Sequence, residues 1–335
     1  MVGRAEGSVE TVSDAFEGAA EKLRAVRDAV ETVIVGQRPV VEAVIGCLVA
    51  GGHGLLEGAP GLGKTALVRA VSEAVALKFS RVQCTPDLLP SDLTGTRMIE
   101  EDPQRGRQFV WVEGPLFGQL VLVDEVNRAT PRTQSALLEA MAEGQVTLSG
   151  ERRVLPQPFC VLATQNPIEM EGTYPLPEAQ LDRFLLHIEV PRPRREDLAT
   201  ILGQTTRHGR PALSPCLDAA TLTALRAQCR DVALADTLLD QVTALLDALD
   251  PSAPTASPAV RRAVKLGPGV RGGQALVLAA KARALTEGRA QVSEADLKAV
   301  APSALRHRIH RTFEAQLEGT SAHALVAEAV SSWRA

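Results

Sequence analysis

One short glycine-rich segment has the residue types and spacing that bind phosphate. It consists of Gly58, Ala59, Pro60, Gly61, Leu62, Gly63, Lys64 and Thr65, which fit the pattern G-x-x-x-x-G-K-[ST] between a predicted strand and a predicted helix. Glycines let successive backbone N–H groups turn toward a phosphate, which also lies at the positive end of the following helix. Lys64 would reach the β- and γ-phosphates, and the Thr65 hydroxyl would ligate Mg²⁺. The segment therefore predicts a nucleotide-binding protein.

Two adjacent carboxylates follow the apolar run Leu120–Val123. Asp124, at the tip of the predicted strand, can hold Mg²⁺ through water, and Glu125 can orient and deprotonate an attacking water. An acidic pair at the end of a strand is common and would be ambiguous by itself. Downstream of the phosphate-binding segment, it predicts hydrolysis of the bound nucleotide.

Three further polar residues are candidates for the same site. Asn166 follows the predicted strand Phe159–Thr164, at the sheet edge where α/β proteins place ligand-binding groups, and it can hydrogen-bond the water or the γ-phosphate. Arg183 and Arg271 have no evident local use. An asparagine after a strand is often a turn former, and a lone arginine is usually a surface charge. The residue types alone therefore assign neither arginine.

The elements that must position these residues alternate along the first half of the chain. Apolar runs predict strands over Gly54–Glu57, Phe79–Cys84, Leu120–Asp124, Phe159–Thr164 and Leu185–Val190, separated by helical patterns or long loops. This alternation is typical of an α/β domain with a largely parallel sheet. Two β-hairpins, over Arg97–Glu113 and Gln145–Leu155, are predicted as inserts. After Pro193 the strand-like runs end, and helical periodicity predicts an all-α domain.

These patterns divide the chain into three predicted parts. They are an N-terminal helical segment over residues 1–35, an α/β nucleotide-binding core over 36–193 and a helical domain over 194–335. Asp14 is expected to cap the first helix. Ser293 and Asp296 form a predicted capping box, and Asp250–Pro258 is expected to be an exposed loop.

Composition excludes several classes of function. The 335 residues contain 36 Lys+Arg and 40 Asp+Glu, so the net charge of −4 provides no overall attraction to nucleic acid. Only ten residues are aromatic, and seven of them lie between Phe79 and Phe184. Aromatic residues that are so few and so clustered argue against base-stacking platforms for nucleic acid and against membrane aromatic belts. No stretch has the length of a membrane span.

The cysteines and histidines do not suggest a metal site. Five scattered cysteines form no C-x-x-C pair, which is typical of a reduced cytoplasmic protein, and the six histidines show no ligand spacing. The first twenty residues lack the pattern of a signal peptide. We therefore expect a cytoplasmic protein.

Three longer segments carry a resemblance to a known family. Thr85–Thr94 (TPDLLPSDLT), Val123–Thr147 (VDEVNRATPRTQSALLEAMAEGQVT) and Ala163–Phe184 (ATQNPIEMEGTYPLPEAQLDRF) resemble the AAA+ ATPases and, more narrowly, the MoxR family. The resemblance is strong from about Gly36 to Arg195 and looser in the helical half. It implies an AAA+ P-loop core with a parallel central sheet and β-hairpin inserts, followed by an all-α lid.

The resemblance also assigns roles by position. It implies that Gly58–Thr65 is Walker A, Asp124 and Glu125 are Walker B, Asn166 is sensor 1, Arg183 is the arginine finger and Arg271 is sensor 2. The cofactors would be ATP and Mg²⁺. An arginine finger acts on ATP held by the neighbouring subunit, so the resemblance implies a homo-hexameric ring. Sensor 2 departs from the family because Gly-Val-Arg-Gly-Gly replaces the usual Ser-Pro-Arg or Gly-Pro-Arg, which should loosen the start of that helix.

The expected function is that of a ring ATPase that remodels other proteins. Its relatives help clients mature, often metalloenzymes, or act on partners with a von Willebrand factor A domain. A nucleic-acid motor is one alternative, because related hairpin inserts grip DNA and Arg105 and Arg107 lie at the first hairpin's turn. The ATPase subunit of a metal chelatase is another.

Overall fold

The computed structural model describes residues 6–102, 106–148, 150–167, 172–206 and 213–331. The elements of the first part are α1 (Glu6–Glu31), α2 (Arg38–Ala50), β1 (Gly54–Glu57), α3 (Lys64–Ala74), β2 (Phe79–Gln83), α4 (Pro90–Thr94), β3 (Gly95–Asp102), β4 (Gly106–Glu113), β5 (Leu120–Asp124), α5 (Pro131–Glu143), β6 (Gln145–Leu148), β7 (Glu151–Val154), β8 (Cys160–Gln165), α6 (Glu178–Leu181) and β9 (Leu186–Glu189). Those of the second part are α7 (Arg195–Thr205), α8 (Ala219–Asp231), α9 (Asp236–Ala248), α10 (Pro258–Ala263), β10 (Val264–Leu266), α11 (Val270–Thr286), α12 (Glu294–Leu305), β11 (His310–Arg311), α13 (Phe313–Leu317) and α14 (Ala322–Ser331).

The central sheet has five parallel strands in the order β2-β5-β8-β1-β9. Every residue of β5 is buried, as are the first five of β8, because helices cover both faces of the sheet. The crossovers bring the carboxyl ends of β5, β8 and β1 next to one another. The predicted α/β fold with a parallel central sheet is confirmed.

The N-terminal helix is longer than predicted. Helix α1 begins at Glu6, so Asp14 lies inside it and the predicted cap at Asp14 is wrong. A capping residue needs a non-helical backbone, and nothing between residues 8 and 13 stops the helix at that point. Helix α1 buries Phe16, Leu23 and Val30 and packs against α2 of the core and α11 of the second part.

Both predicted hairpins are present as antiparallel pairs. Strands β3 and β4 pair along their whole length, and so do β6 and β7. The two hairpins also contact each other, because Arg97 forms an ion pair with Glu151 and the guanidinium of Arg153 lies 5.0 Å from the ring centre of Trp111. Side-chain contacts therefore join the two hairpins to each other.

The second part, the lid, is helical apart from a short ribbon. Strands β10 and β11 pair antiparallel, Val264 opposite Arg311, so the predicted helical lid is confirmed and carries one short ribbon in addition. Strands of two or three residues are too short to produce a detectable alternation of polarity. The predicted capping box of Ser293 and Asp296 begins α12. Among the described residues, no helix is long and apolar enough to cross a membrane.

Candidate nucleotide-hydrolysis site

The glycine-rich loop connects β1 to α3 and has the conformation of a phosphate cradle. Gly61 and Gly63 have φ values of 78° and 79°, in the left-handed region that glycine adopts at little cost. Nothing lies within 4 Å of a Cβ added at either position, so the backbone conformation, and not crowding, requires glycine there. The ammonium of Lys64 donates to the carbonyl oxygens of Gly58 and Ala59, the latter at 3.1 Å. The loop therefore holds its own lysine at the N-terminus of α3.

Asp124 is buried at the end of β5 beside the start of α3. The Thr65 hydroxyl donates to its Oδ2 at 3.1 Å, and the Thr164 hydroxyl donates to Oδ1 at 3.2 Å. Arg81 on β2 donates from Nε to Oδ2 at 2.8 Å. A hydroxyl and a carboxylate side by side are oxygen ligands of the kind that Mg²⁺ prefers, so the residues present fit this cation.

Glu125 has an unusual backbone conformation immediately after Asp124. Its φ of 57° is rare for a residue with a side chain, and such strain is maintained only where surrounding contacts enforce it. The backbone N–H of Glu125 donates to the Thr164 hydroxyl at 2.9 Å. Its Oε2 accepts from Gln83 Nε2 at 2.9 Å and from Arg128 Nη1 at 3.2 Å. Both side-chain contacts engage Oε2, so Oε1 keeps its lone pairs for a water molecule.

A cavity of about 390 Å³ unites most of the predicted site. It is lined by Pro60, Gly61, Leu62, Gly63, Lys64, Thr65, Ala66, Arg81, Gln83, Asp124, Glu125, Thr164 and Asn166. Asn166 is buried and follows β8 directly. The glycine-rich loop, both carboxylates and Asn166 are thus brought together, as the adjacent strand ends predict.

The two arginines lie elsewhere. Neither Arg183 nor Arg271 lines this cavity. Arg183 follows α6, and Arg271 near the start of α11 lies 3.5 Å from Oδ2 of Asp182. The structure therefore brings Arg271 to the residue next to Arg183 and places neither arginine among the residues that line this cavity.

Four residues of the site were missed by sequence reasoning. They are Arg81, Gln83, Thr164 and Arg128. Arg81 and Gln83 are two residues apart on β2 and therefore point to the same face, and Gln83 pairs in register with Asp124. That alternation was a usable signal. Thr164 ends a buried apolar run and is indistinguishable from an ordinary strand residue until its neighbours are known.

The thiol nearest the carboxylates does not act as a nucleophile. Burial, together with the negative charges of Asp124 and Glu125, raises the pKa of Cys84 to about 12. It therefore stays protonated at neutral pH. The acid–base chemistry of the cavity is left to the carboxylates.

Comparison with known proteins agrees with this geometry. Residues 53–186 match the model of the ATPase family associated with various cellular activities (AAA), and residues 257–329 match the AAA lid domain. A crystal structure of an assigned ATPase from Cytophaga hutchinsonii superposes with a TM-score of 0.90 at 35% identity and covers 99% of both chains. Fold and site thus define an AAA ATPase with a lid.

Similar curated proteins narrow this class. YeaC of Bacillus subtilis, an uncharacterised protein, is 40% identical over 90% of this chain and 91% of its own. The chaperone MoxR1 of Mycobacterium tuberculosis is 38% identical over 89% and 79% of the two chains, and the protein MoxR of Paracoccus denitrificans is 33% identical over 86% and 88%. The chain belongs to the MoxR family of AAA+ ATPases.

Proposed function

We propose that this ATPase binds Mg²⁺–ATP in the cavity at the carboxyl edge of the sheet and hydrolyses it there. Backbone N–H groups of Gly58–Thr65 would bind the phosphates, with Lys64 on the β- and γ-phosphates. Thr65 and Asp124 would hold Mg²⁺, which when bound neutralises phosphate charge. Their contact at 3.1 Å is the observation that carries this assignment.

Glu125 would take the proton of the attacking water. Its strained backbone and the contacts of Gln83 and Arg128 fix the carboxylate in one place, which is what a general base needs. Asn166, buried beside it, would orient the water or the γ-phosphate by hydrogen bonding. These roles follow from which groups share the cavity.

Arg183 would complete the site of a neighbouring subunit in a homo-hexameric ring. Its separation from its own cavity supports an action in trans, because a head-to-tail ring interface places different surfaces of two copies together. An arginine supplied in this way stabilises charge on the transferred phosphoryl group. Arg271 pairs with Asp182, the residue that precedes Arg183 in the turn. This contact supports placing sensor 2 at the same interface.

A protein client is supported by the character of the first hairpin. Large apolar side chains on β3 and β4 are exposed, namely Met98, Ile99, Phe109, Val110 and Val112, with Phe109 73% exposed. An apolar surface of this kind indicates a contact with another protein. We therefore propose a chaperone that remodels partner proteins, with a von Willebrand factor A domain protein or a maturing metalloenzyme as the client, in the cytoplasm.

Three of the four described arginines of the hairpins lie beside carboxylates, which weakens the nucleic-acid alternative, whereas Arg152 is exposed. Arg97 and Arg153 both contact Glu151, and Arg107 lies 3.7 Å from Glu101. An arginine that is already paired with a carboxylate neutralises little phosphate charge, so it displaces few counterions from a nucleic acid. Arg105 lies outside the described residues.

A DNA motor predicts ATPase stimulation by DNA at low salt, and a chelatase subunit predicts binding to a porphyrin-metallating partner.

The test uses a ring that binds ATP without hydrolysing it. Tagged Glu125→Gln protein with ATP should capture a von Willebrand factor A domain protein or a metalloenzyme precursor, identified by mass spectrometry and reproduced with the purified partner. Capture should be lost with ADP and with the additional changes Ile99→Ser and Phe109→Ser. The matched control changes the exposed Phe313 and Leu317 of α13 to Ser and should leave capture intact. Capture of the partner that is unaffected by the hairpin substitutions would contradict the proposal. Stimulation of ATP hydrolysis by DNA would also contradict it.

A further inference from the structure

Arg308 is a buried arginine at the end of the turn Arg306–Arg308 that follows α12. Its side chain is only 3% exposed. Arginine is rarely buried unless its charge and its five N–H donors are satisfied, because removing it from water is costly. Burial lowers the pKa of Arg308, and the carboxylate of Asp182 opposes that effect. Such a buried side chain therefore needs partners that accept hydrogen bonds from its N–H groups and balance its charge.

Besides the Ala304 carbonyl oxygen and the His307 ring, Arg308 binds the backbone on both sides of Arg183. Arg308 Nε donates to Asp182 Oδ1 at 2.8 Å, and Nη2 donates to the carbonyl oxygens of Asp182 at 2.9 Å and Phe184 at 2.7 Å. Nη1 also reaches the carbonyl oxygen of Leu185 at 3.4 Å. One lid residue therefore binds the carbonyl group of the residue before Arg183 and the carbonyl groups of the two residues after it.

The side chain of Arg183 is not used in these contacts. Among the residues that the structure describes, its guanidinium forms no ion pair or hydrogen bond, while its backbone N–H donates to the Gln180 carbonyl oxygen at 3.1 Å. Its backbone is fixed, and its charge stays available to a group outside this subunit. Fixing the backbone of a long side chain narrows the region its head group can occupy.

We propose that Arg308 is a positioning residue for Arg183: by holding the carbonyl groups of residues 182, 184 and 185, it directs the Arg183 guanidinium toward ATP of the neighbouring subunit. This inference rests on the proposed action of Arg183 in trans. It adds a role for the lid, because Arg308 and Arg271 reach Asp182 from two different lid elements. The orientation of one subunit's lid then sets the activity of the next subunit's site.

A purely structural role would predict a different result, and the chain offers a matched control. Arg226 on α8 also joins lid to core by donating to backbone carbonyl oxygens, to Leu48 at 2.8 Å and to Phe159 at 3.3 Å. Neither of these carbonyl groups belongs to the turn around Arg183. Arg226→Gln should lower the unfolding temperature without a specific loss of turnover.

The experiment measures ATP affinity, kcat and rescue in mixed rings for Arg308→Gln and Arg308→Lys. Arg308→Lys keeps the charge but cannot reach several carbonyl groups at once, so it should fold and still lose turnover. We expect kcat to fall about tenfold or more while ATP affinity stays within about twofold, a signature of a lost transition-state contact. Mixing with Lys64→Ala subunits, whose Arg183 turn is intact, should restore hydrolysis at the Arg308-variant sites.

The outcomes separate this inference from the function on which it rests. Unchanged kcat in folded Arg308→Gln and Arg308→Lys would overturn it. Two other results would overturn it, provided that Lys64→Ala subunits rescue Arg183→Ala. One is a loss of kcat in the Arg308 variants that Lys64→Ala subunits fail to rescue. The other is an equal loss of kcat in Arg226→Gln. If Arg183→Ala itself is not rescued, the trans action of Arg183 is refuted, and this inference with it.

Discussion

Two groups of residues serve the proposed reaction, and different parts of the chain hold them. At the carboxyl edge of the sheet, Asp124 accepts hydrogen bonds from Thr65, Thr164 and Arg81, all of which belong to the core. At the turn after α6, the backbone beside Arg183 is bonded by Arg308 of the lid. The phosphate cradle is assembled by the core itself, whereas the turn depends on how the lid is docked.

In the proposed ring, this difference would divide nucleotide binding and hydrolysis between neighbouring subunits. A site whose groups are bonded to one another within the core is preorganised and needs no movement to bind nucleotide. A turn held across two parts of the chain changes when those parts move. Each subunit would thus bind ATP by itself but depend on its neighbour's lid for fast hydrolysis. Substitutions in the cradle and at the turn should therefore have separable effects.

Loss of Lys64 should have the largest effect, because it removes the charge that is proposed to bind the β- and γ-phosphates. Lys64→Ala should abolish detectable ATP binding in a fluorescent-nucleotide titration. Lys78→Ala, which removes an exposed lysine 3.6 Å from Glu113, is the control and should bind normally. ATP affinity of Lys64→Ala within a few-fold of the unmodified protein would refute the assignment of the cradle.

Loss of the Glu125 carboxylate should come next. Glu125→Gln keeps the shape of the side chain and its contacts but cannot take a proton, so kcat should fall by about 10²–10⁴ with ATP binding retained. Steady-state phosphate release measures the effect. Glu139→Gln changes an exposed glutamate of α5 and should hydrolyse normally. Near-normal turnover in Glu125→Gln would require another base.

A smaller loss is expected at Asp182. Asp182→Asn removes the charge that Arg308 and Arg271 share but leaves the backbone bonds of Arg308 in place, so kcat should fall about three- to tenfold without weaker ATP binding. The control is Glu178→Gln, four residues earlier, where an exposed carboxylate pairs with His310. Equal effects of the two changes would mean that the turn has no special dependence on the lid.

The smallest expected change concerns Arg81. Its guanidinium binds Asp124 and would compete with Mg²⁺ there, so Arg81→Ala should lower the Mg²⁺ concentration for half-maximal hydrolysis about two- to threefold. Arg69→Ala, an exposed helical arginine paired with Glu73, serves as the control. A higher Mg²⁺ requirement in Arg81→Ala would show that Arg81 supports the metal site.

The parts that the sequence predicted well are those fixed by local pattern. The glycine-rich loop, the run ending in Asp124 and the two hairpins each lie within about twenty residues of chain, so periodicity and turn chemistry identify them. The cap at Asp14 was wrong because helix starts are weakly encoded. The ribbon of Val264–Leu266 with His310–Arg311 was missed because both strands are very short.

The missed parts of the site depend on contacts between distant segments. Arg81 meets Asp124 only because β2 and β5 are neighbours in the sheet. The bonds of Arg308 to Asp182 join residues 126 positions apart, and no local pattern marks either residue for the other. Such pairs become visible only when the sheet order and the docking of the lid are known.

The central claim is that one subunit's arginine completes the next subunit's site. Arg183→Ala should bind ATP but lacks the arginine, and Lys64→Ala keeps the arginine but should not bind the nucleotide, so each alone should be nearly inactive. Co-assembled in equal amounts, they should recover about one quarter of normal activity, because an intact cradle meets an intact arginine at about one interface in four. Absence of hydrolysis at every mixing ratio, in rings shown by mass measurement to contain both variants, would contradict the account.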